Sequence, residues 1–556
     1  MSMTKSYQHY LAWSAIWALV VAAAMVFRPI LPLDETRYFA VAWEMWRSGN
    51  FLVPELNGSA YSHKPPLLFW LINAGWHIFG PIEVWGRIVG PAFGLGAVFL
   101  THRLACLLWP GSRPAQLVAP WIVCGTLLWL ITTTLSMFDT MVMFFTLVSL
   151  VGLALAASAR ATGNLLDRKR FVLGWVLFAL GIGFGVLSKG PVILVFTLPA
   201  ALLAPIWWAP AEARVRVGAL NWYPMLVVAV LGGAGVALAW ALPAAISGGE
   251  EFARAIFLGQ TTGRVAGGFS HARPFWWYGP MLLLLLFPWV LWPTLWRGLY
   301  AADWRRDPGM RFAAVWFLAA LLILSSFTDK QPHYFLAVIP AFALLAARAL
   351  TTVSTFEAPS WATVLPLIPT GVIGVALVVI SLRPDILIDL VGDTPLAIGH
   401  EPLVAGAGIL ISIVIGLGVV GRHVDRQVRA LALISMIAVV ALHLSYGPTA
   451  GHLYDLRTAA EQLRGFAASG QSVAHIGKYH GQFHYLGRLE EPLVVIGGGD
   501  VSAWFEENPD GVAIYLHRRR EDVADGTAIH VQPFRGRWLA IWDRAGADLA
   551  PEIFTR

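Results

Sequence analysis

Apolar runs of roughly twenty residues recur from Leu11 to about Tyr446, and a run of that length lets an α-helix cross the hydrocarbon core of a bilayer. In lipid every backbone polar group must be satisfied within the protein, so repeated apolar runs of this length commit the chain to membrane helices. Composition agrees: the 556 residues are 57% hydrophobic and only 13% charged, where a soluble protein carries about 25% charged residues. The sequence therefore predicts an all-α polytopic membrane protein with about thirteen transmembrane helices. They fall near residues 9–30, 84–108, 115–133, 139–158, 171–188, 190–208, 222–246, 276–297, 312–327, 334–350, 361–382, 403–421 and 430–446. The N-terminal run superficially resembles a cleavable signal, but it is long and leads straight into a charged stretch, so an uncleaved signal anchor is expected.

Lysine and arginine in short loops set the orientation. Arg160, Arg168, Lys169 and Arg170 share one loop, Arg297, Arg305, Arg306 and Arg311 a second, and Arg422, Arg426 and Arg429 a third. All three loops fall on the side of Lys5, which is assigned to the cytoplasm. The net charge of +6 belongs to these loops, and no nucleic-acid partner is expected. Cys106 and Cys124 both lie in apolar runs and suggest neither a disulfide framework nor a metal site. The same parity places the loops 34–83 and 247–275 and the tail 447–556 on the periplasmic face. Residues 1–446 are read as the transmembrane domain. "LLFWLINAGWHIF" at 67–79 is too short to span and, with Trp70 and Trp76, reads as an interfacial helix; 36–47 reads likewise. In the tail, helical "LRTAAEQLRGFAA" precedes the β-like runs "SVAHI", "PLVVI", "GVAIYL" and "WLAIWD", which predict a small soluble α/β domain.

Ionisable groups close to a membrane are functional hypotheses by default. Here Asp34, Glu35, Arg37, His63, Lys64, Asp139, Lys189, His271, Asp329, Lys330, His333 and Tyr334 come from separate segment ends, yet parity puts them at one membrane face. Each has an ordinary reading too, as a snorkelling lysine, a solvated loop charge or a helix cap; for Asp139, taken alone, an N-cap competes evenly with catalysis. Lys64 precedes Pro65-Pro66, Lys189 sits in "LSKGP" and Lys330 in "TDKQPHY". Three lysines at outer turns followed by proline suit a site that holds an anionic phosphate at the leaflet surface.

The run "DETRYF…W…SGNFLVPELNG…Y…HKPPLLFWL" resembles the first periplasmic loop of bacterial GT-C glycosyltransferases of the protein-mannosyltransferase-like and aminoarabinose-transferase (ArnT-like) group. The resemblance continues in "LSMFDTMVMFF", "GFGVLSKGPV", "GRVAGGFSHARPFWWY" and "TDKQPHYFLAVIPAFALL", and covers roughly residues 10–350. It implies a glycosyltransferase of the bacterial inner membrane that uses a polyprenyl-phosphate sugar donor and acts on a periplasmic acceptor: lipid A, another envelope glycolipid or protein. It also implies Asp34 as the catalytic carboxylate, with Asp139 the second and Glu35 beside them. Arg37, Lys64, Lys189, Tyr334 and Lys330 are then the residues around the donor phosphate. Members of the group carry Glu directly before the KPP lysine, whereas this chain has His63. His63 with His271 suggests a soft divalent metal such as zinc, against two hydrogen-bonding loop histidines. The sugar is left open.

The expected reaction is an inverting displacement at the anomeric carbon. Asp34 acts as general base on a hydroxyl acceptor, or orients an acceptor that is already ionised. The rival from another class is a secondary transporter or flippase of a lipid-linked sugar. Transporters place ionisable groups near the midplane on broken helices, often in repeated halves; this sequence shows charged span ends on one face and no repeat.

Overall fold

The computed structural model describes residues 2–160, 165–208, 219–259, 272–352, 359–391, 395–524, 526–549 and 553–554. Among them, ten helices are long and apolar enough to cross a membrane. The other three predicted spans are each split. Residues 113–132 form Arg113–Gly125 and Leu127–Thr132, residues 193–207 form Ile193–Leu202 and Ala204–Trp207, and the third divides into Tyr278–Leu285, a 3₁₀ turn Trp289–Leu291 and Pro293–Ala301. Proline causes much of this, at Pro199, Pro288 and Pro293, because it donates no backbone N–H and blocks the preceding turn.

A break in lipid must satisfy the backbone groups it frees, and here the broken segments serve one another. Leu127 N donates to Phe287 O at 2.9 Å. Trp289 Nε1 donates to Ile122 O at 3.0 Å and to Thr126 Oγ1 at 3.1 Å. At the Pro199 break, the indole N–H groups of Trp207 and Trp222 donate to Ala200 O and Ala201 O. Where helices stay whole, small residues allow close approach. A Cβ added to Gly152 of helix Phe138–Arg160 would stand 2.4 Å from Gly174 O of helix Leu165–Lys189.

Helix Val424–Ala450 leads into the tail, where helix Arg457–Ala468 precedes a five-stranded sheet. Its strands are β3 (Val473–Ile476), β4 (Val494–Ile496), β5 (Val512–His517), β6 (His530–Phe534) and β7 (Arg537–Trp542), in the order β4-β3-β5-β7-β6. β3 runs parallel to β4 and β5, whereas β7 is antiparallel to both β5 and β6. Alternation along the strands builds a core on each face. Val473, Val512 and Ile514 pack with Leu456, Leu463 and Phe483, while Ala474, Ile476 and Ala513 pack with Val501, Trp504 and Phe505.

The first loop carries helices Asp34–Ser48 and Leu67–Phe79 and a short hairpin of β1 (Glu55–Leu56) and β2 (Ser59–Ala60). Leu67–Phe79 has only 13 residues, too few to span. Of its tryptophans, Trp76 is fully buried and stacks on Tyr485 of the tail at 5.3 Å, and Trp70 Nε1 donates to Phe51 O. The apolar surface left outward lies at the end of that helix, at Ile78, Phe79, Ile82 and Val84. Helix Asp34–Ser48 packs against the tail as well. Phe39, Val41 and Ala42 are buried, and Trp43 Nε1 donates to Leu489 O. Asn57 closes a two-way hydrogen-bond pair with the backbone of Leu493. The tail therefore sits directly on the loop that carries the candidate site.

Candidate active site

Asp34 and Glu35 are neighbours in sequence, but a helix turns about 100° per residue, and the two carboxylates face different surroundings. Glu35 is 2% exposed and forms an ion pair with Arg28 at 2.5 Å. It also accepts from Leu31 N and Ser136 N, both at 2.9 Å, while Arg28 donates to Thr134 O. Burial alone would raise its carboxyl pKa; the Arg28 charge and these hydrogen bonds leave it below the ordinary carboxylate value. Both oxygens of Glu35 are thus engaged, Oε2 by Arg28 and Leu31 and Oε1 by Ser136 of the 126–137 segment. Glu35, expected among the catalytic groups, is placed in this buried ion pair. Glu35→Gln should lower stability by about 3–5 kcal/mol, since it leaves Arg28 as a buried unpaired charge. Activity per folded molecule should persist, as measured by turnover normalised to the protein that survives thermal unfolding.

Asp34 is 50% exposed and ion-paired with Arg37 one turn on. The Tyr38 hydroxyl reaches the same Oδ1 at 3.5 Å. Tyr61 of the first loop is the next neighbour of this pair, and burial pushes its hydroxyl up to about 12, so it stays protonated.

Beyond Asp34, helix Phe138–Arg160 begins beside the end of helix Leu165–Lys189. There Asp139 Oδ1 accepts from Lys189 Nζ at 2.6 Å, both side chains being below 10% exposed. Lys189 Nζ also lies 4.5 Å over the Tyr334 ring, and the Tyr334 hydroxyl donates to Asp329 at 3.1 Å. Gly190, with φ +80°, makes the sharp reversal that presents Lys189 at a helix end. These residues line a cavity of about 390 Å³. Asp139, Lys189, Asp329 and Tyr334 lie at its polar side; Val142, Val195, Phe196 and Leu324 make the remainder apolar. A smaller apolar pocket of about 210 Å³, lined by Ser62, Pro65 and Trp240, shares Pro191 with it.

Lys64 is half-buried, and its charge reaches Asp139. The group that links the parts is His333, which the sequence placed on the outer face without a role. Its electrostatic neighbours are Asp139, Lys189, Asp34 and Lys64, and its ring meets that of Tyr334 edge-on at 4.8 Å. The signal available in the sequence was "QPHY": Pro332 starts a 3₁₀ turn in which adjacent residues 333 and 334 both face the site.

Lys330 goes elsewhere. It is 3% exposed and its Nζ donates to Arg273 O at 2.9 Å and to Phe327 O. Lys330, expected at the phosphate, is thus placed where it donates to two carbonyls of a turn. His63 is exposed beside Tyr61, and His271 lies outside the described residues. Among the described residues no group of three or more His, Cys, Asp or Glu side chains could hold a metal ion.

The cavity, the ion pair and the tail domain over the first loop can be compared with known proteins. The apo crystal structure of ArnT from Cupriavidus metallidurans superposes with a TM-score of 0.72 at 16% identity, covering 98% of this chain and 99% of that one. The chain has the ArnT fold. The same ArnT bound to undecaprenyl phosphate also aligns with a TM-score of 0.72, at 17% identity. With this fold the chain carries, among the described residues, ten helices long and apolar enough to cross a membrane and a small C-terminal α/β region. In sequence, the undecaprenyl phosphate-α-4-amino-4-deoxy-L-arabinose arabinosyl transferase 2 of Pseudomonas fluorescens is 30% identical over 352 residues, 60% of each chain. The corresponding transferase of Serratia proteamaculans is 30% identical over 345 residues, 60% of this chain and 58% of that one. The chain thus matches less than two thirds of the length of these curated relatives. No family model matches it.

Proposed function

We propose that this chain is an inverting membrane glycosyltransferase that takes a sugar from a polyprenyl-phosphate donor. The observation that carries the reading is the amphipathic cavity, with the buried Asp139–Lys189 pair at its polar side and His333 within electrostatic reach of both that pair and Asp34. A prenyl chain suits the Val and Leu wall, and a phosphate suits the cluster of Lys189, Lys64 and Arg37. ArnT, which has this fold, was crystallised with undecaprenyl phosphate, and the sequence relatives are named for the same lipid carrier.

In the proposed step the anomeric carbon–phosphate oxygen bond breaks as an acceptor oxygen bonds to the opposite face of that carbon. The bond's electron pair leaves with polyprenyl phosphate. Fixed cations in a partly dry site stabilise the developing negative charge more strongly than water would. A hydroxyl acceptor passes its proton to Asp34; an ionised acceptor has none to pass, and Asp34 then orients it. Periplasmic orientation in the inner membrane rests on the basic cytoplasmic loops. A reporter fused after Tyr446 should be active only in the periplasm, and one fused within 159–171 only in the cytoplasm. Zinc at His63 and His271 stays a separate proposal, which elemental analysis of untagged protein decides.

The decisive experiment is transfer of labelled sugar from polyprenyl-phosphate donors in detergent, with no gradient across any membrane. Product formation is expected. Movement of label only across sealed vesicles, with no glycosidic product, would establish the transporter instead.

A further inference from the structure

We propose that the soluble region completes the active site: Lys478 and Arg535 form a basic rim beside His480 and over Asp34 that receives the acceptor through an anionic group. This deepens the glycosyltransfer reading and rests on it. The placement follows from one close approach. Gly481 sits in the loop after β3 with φ +76°, and a Cβ there would stand 2.5 Å from Leu56 Cδ1 and 3.0 Å from Ala40 Cβ. Only glycine lets this loop press onto helix Asp34–Ser48. Ala40 is three residues after Arg37, so the two share a helix face about 5–6 Å apart. The residue before Gly481 therefore comes down beside the Asp34–Arg37 pair. The electrostatic neighbours of His480 agree: Arg37, Lys478, Arg535 and Asp34.

The loop is held, not loose. Gln482 accepts from His480 N at 3.0 Å and reaches the His475 ring at 3.3 Å. Tyr479 bonds His484 at 2.7 Å and stacks on Phe483. With Tyr479 and Gln482 turned inward, Lys478 is left exposed. Arg535 projects from the β6–β7 turn, where its backbone N donates to Leu453 O at 3.0 Å. Neither cation is needed to hold the two regions together, since Tyr485 on Trp76, Trp43 to Leu489 and Asn57 to Leu493 already do so. Among the described residues neither Lys478 nor Arg535 forms an ion pair. Asp34 thus stands between two charged layers. The Lys189–Lys64 layer lies towards the membrane and suits the donor. The Lys478–Arg535 layer belongs to the soluble region and offsets the repulsion that Asp34 alone would impose on an anionic acceptor.

The test is equilibrium binding of lipid A, intact and after phosphatase treatment, to full-length protein in detergent with no donor present. Wild type should bind the phosphorylated lipid about tenfold or more tightly than the dephosphorylated one, because charge-assisted hydrogen bonds are the strong ones. Lys478→Ala/Arg535→Ala should lose that discrimination, and Lys478→Arg should keep it. Thermal unfolding of the double variant should match wild type, since both side chains are exposed. Equal binding of the two lipids by wild type, or full discrimination by the double variant, overturns the proposal. Turnover with the polyprenyl-phosphate donor reads the glycosyltransfer proposal separately: discrimination through the rim without sugar transfer refutes that reading and not the rim.

Discussion

Asp34→Asn should lower turnover by at least about a hundredfold while the protein stays inserted and folded. The substitution keeps shape and removes the charge. Asp34 is half-exposed, and its ion pair with Arg37 joins adjacent turns of one helix, a kind of pair worth at most about 1 kcal/mol to stability. A loss of rate therefore cannot be ascribed to unfolding, which makes this the cleanest substitution in the site. The two proposed roles separate by acceptor. As a base for a hydroxyl, Asp34 is missed in the chemical step, so kcat should fall with little change in acceptor KM. As an orienting group for an ionised acceptor, its loss should also remove repulsion, and acceptor affinity should hold or improve while kcat falls. Near-normal transfer by Asp34→Asn would remove it from the mechanism. Glu35→Gln is the matched control, because it changes the adjacent carboxylate and should alter stability but not chemistry.

Much of this arrangement was legible in the chain because membrane helices advertise themselves by length and apolarity. The long spans lie close to where hydropathy put them. Two of the three that broke did so where proline meets an apolar run, the third at Thr126, and hydropathy does not register that a helix has stopped while the run continues. In the tail, β3, β4, β5 and β7 were visible as β-branched runs, whereas β6 was not. Its sequence "HVQPF" contains Pro533, which a strand accepts at a sheet edge, and β6 is the edge strand. The site was legible as a list of charged turn residues, but not in its internal assignments. Asp34 and Glu35 have the same chemistry in sequence; only Arg28, seven residues before it, and Ser136, from a distant segment, tie Glu35 into the structure. Lys330 and Lys189 likewise sit in similar proline-bearing turns. One spends its charge on carbonyls and the other on a carboxylate facing the cavity. His333 needed four neighbours from four segments before it had a place.

The Asp139–Lys189 pair should give the other large effect, and its two parts can be separated. Removing one partner leaves an uncompensated charge in a site where both side chains are nearly fully buried, which costs about 3–5 kcal/mol. Asp139→Asn and Lys189→Met should each lower the unfolding temperature markedly, and each should reduce transfer by about a hundredfold or more. Neither single result distinguishes a broken fold from a lost phosphate contact. The double variant does. Asn and Met together carry no buried charge, so much of the stability lost in each single variant should return, with a coupling of about 1–3 kcal/mol between residues in direct contact. If Lys189 acts on the leaving phosphate, activity should not return with stability, because the cation that strengthens its hold as the glycosidic bond breaks is still missing. Single-turnover rates on donor-saturated enzyme then report the chemical step alone. A stable double variant with near-wild-type rate would make the pair a fastening between two helices, and the phosphate would have to be held by Arg37 and Lys64 without it.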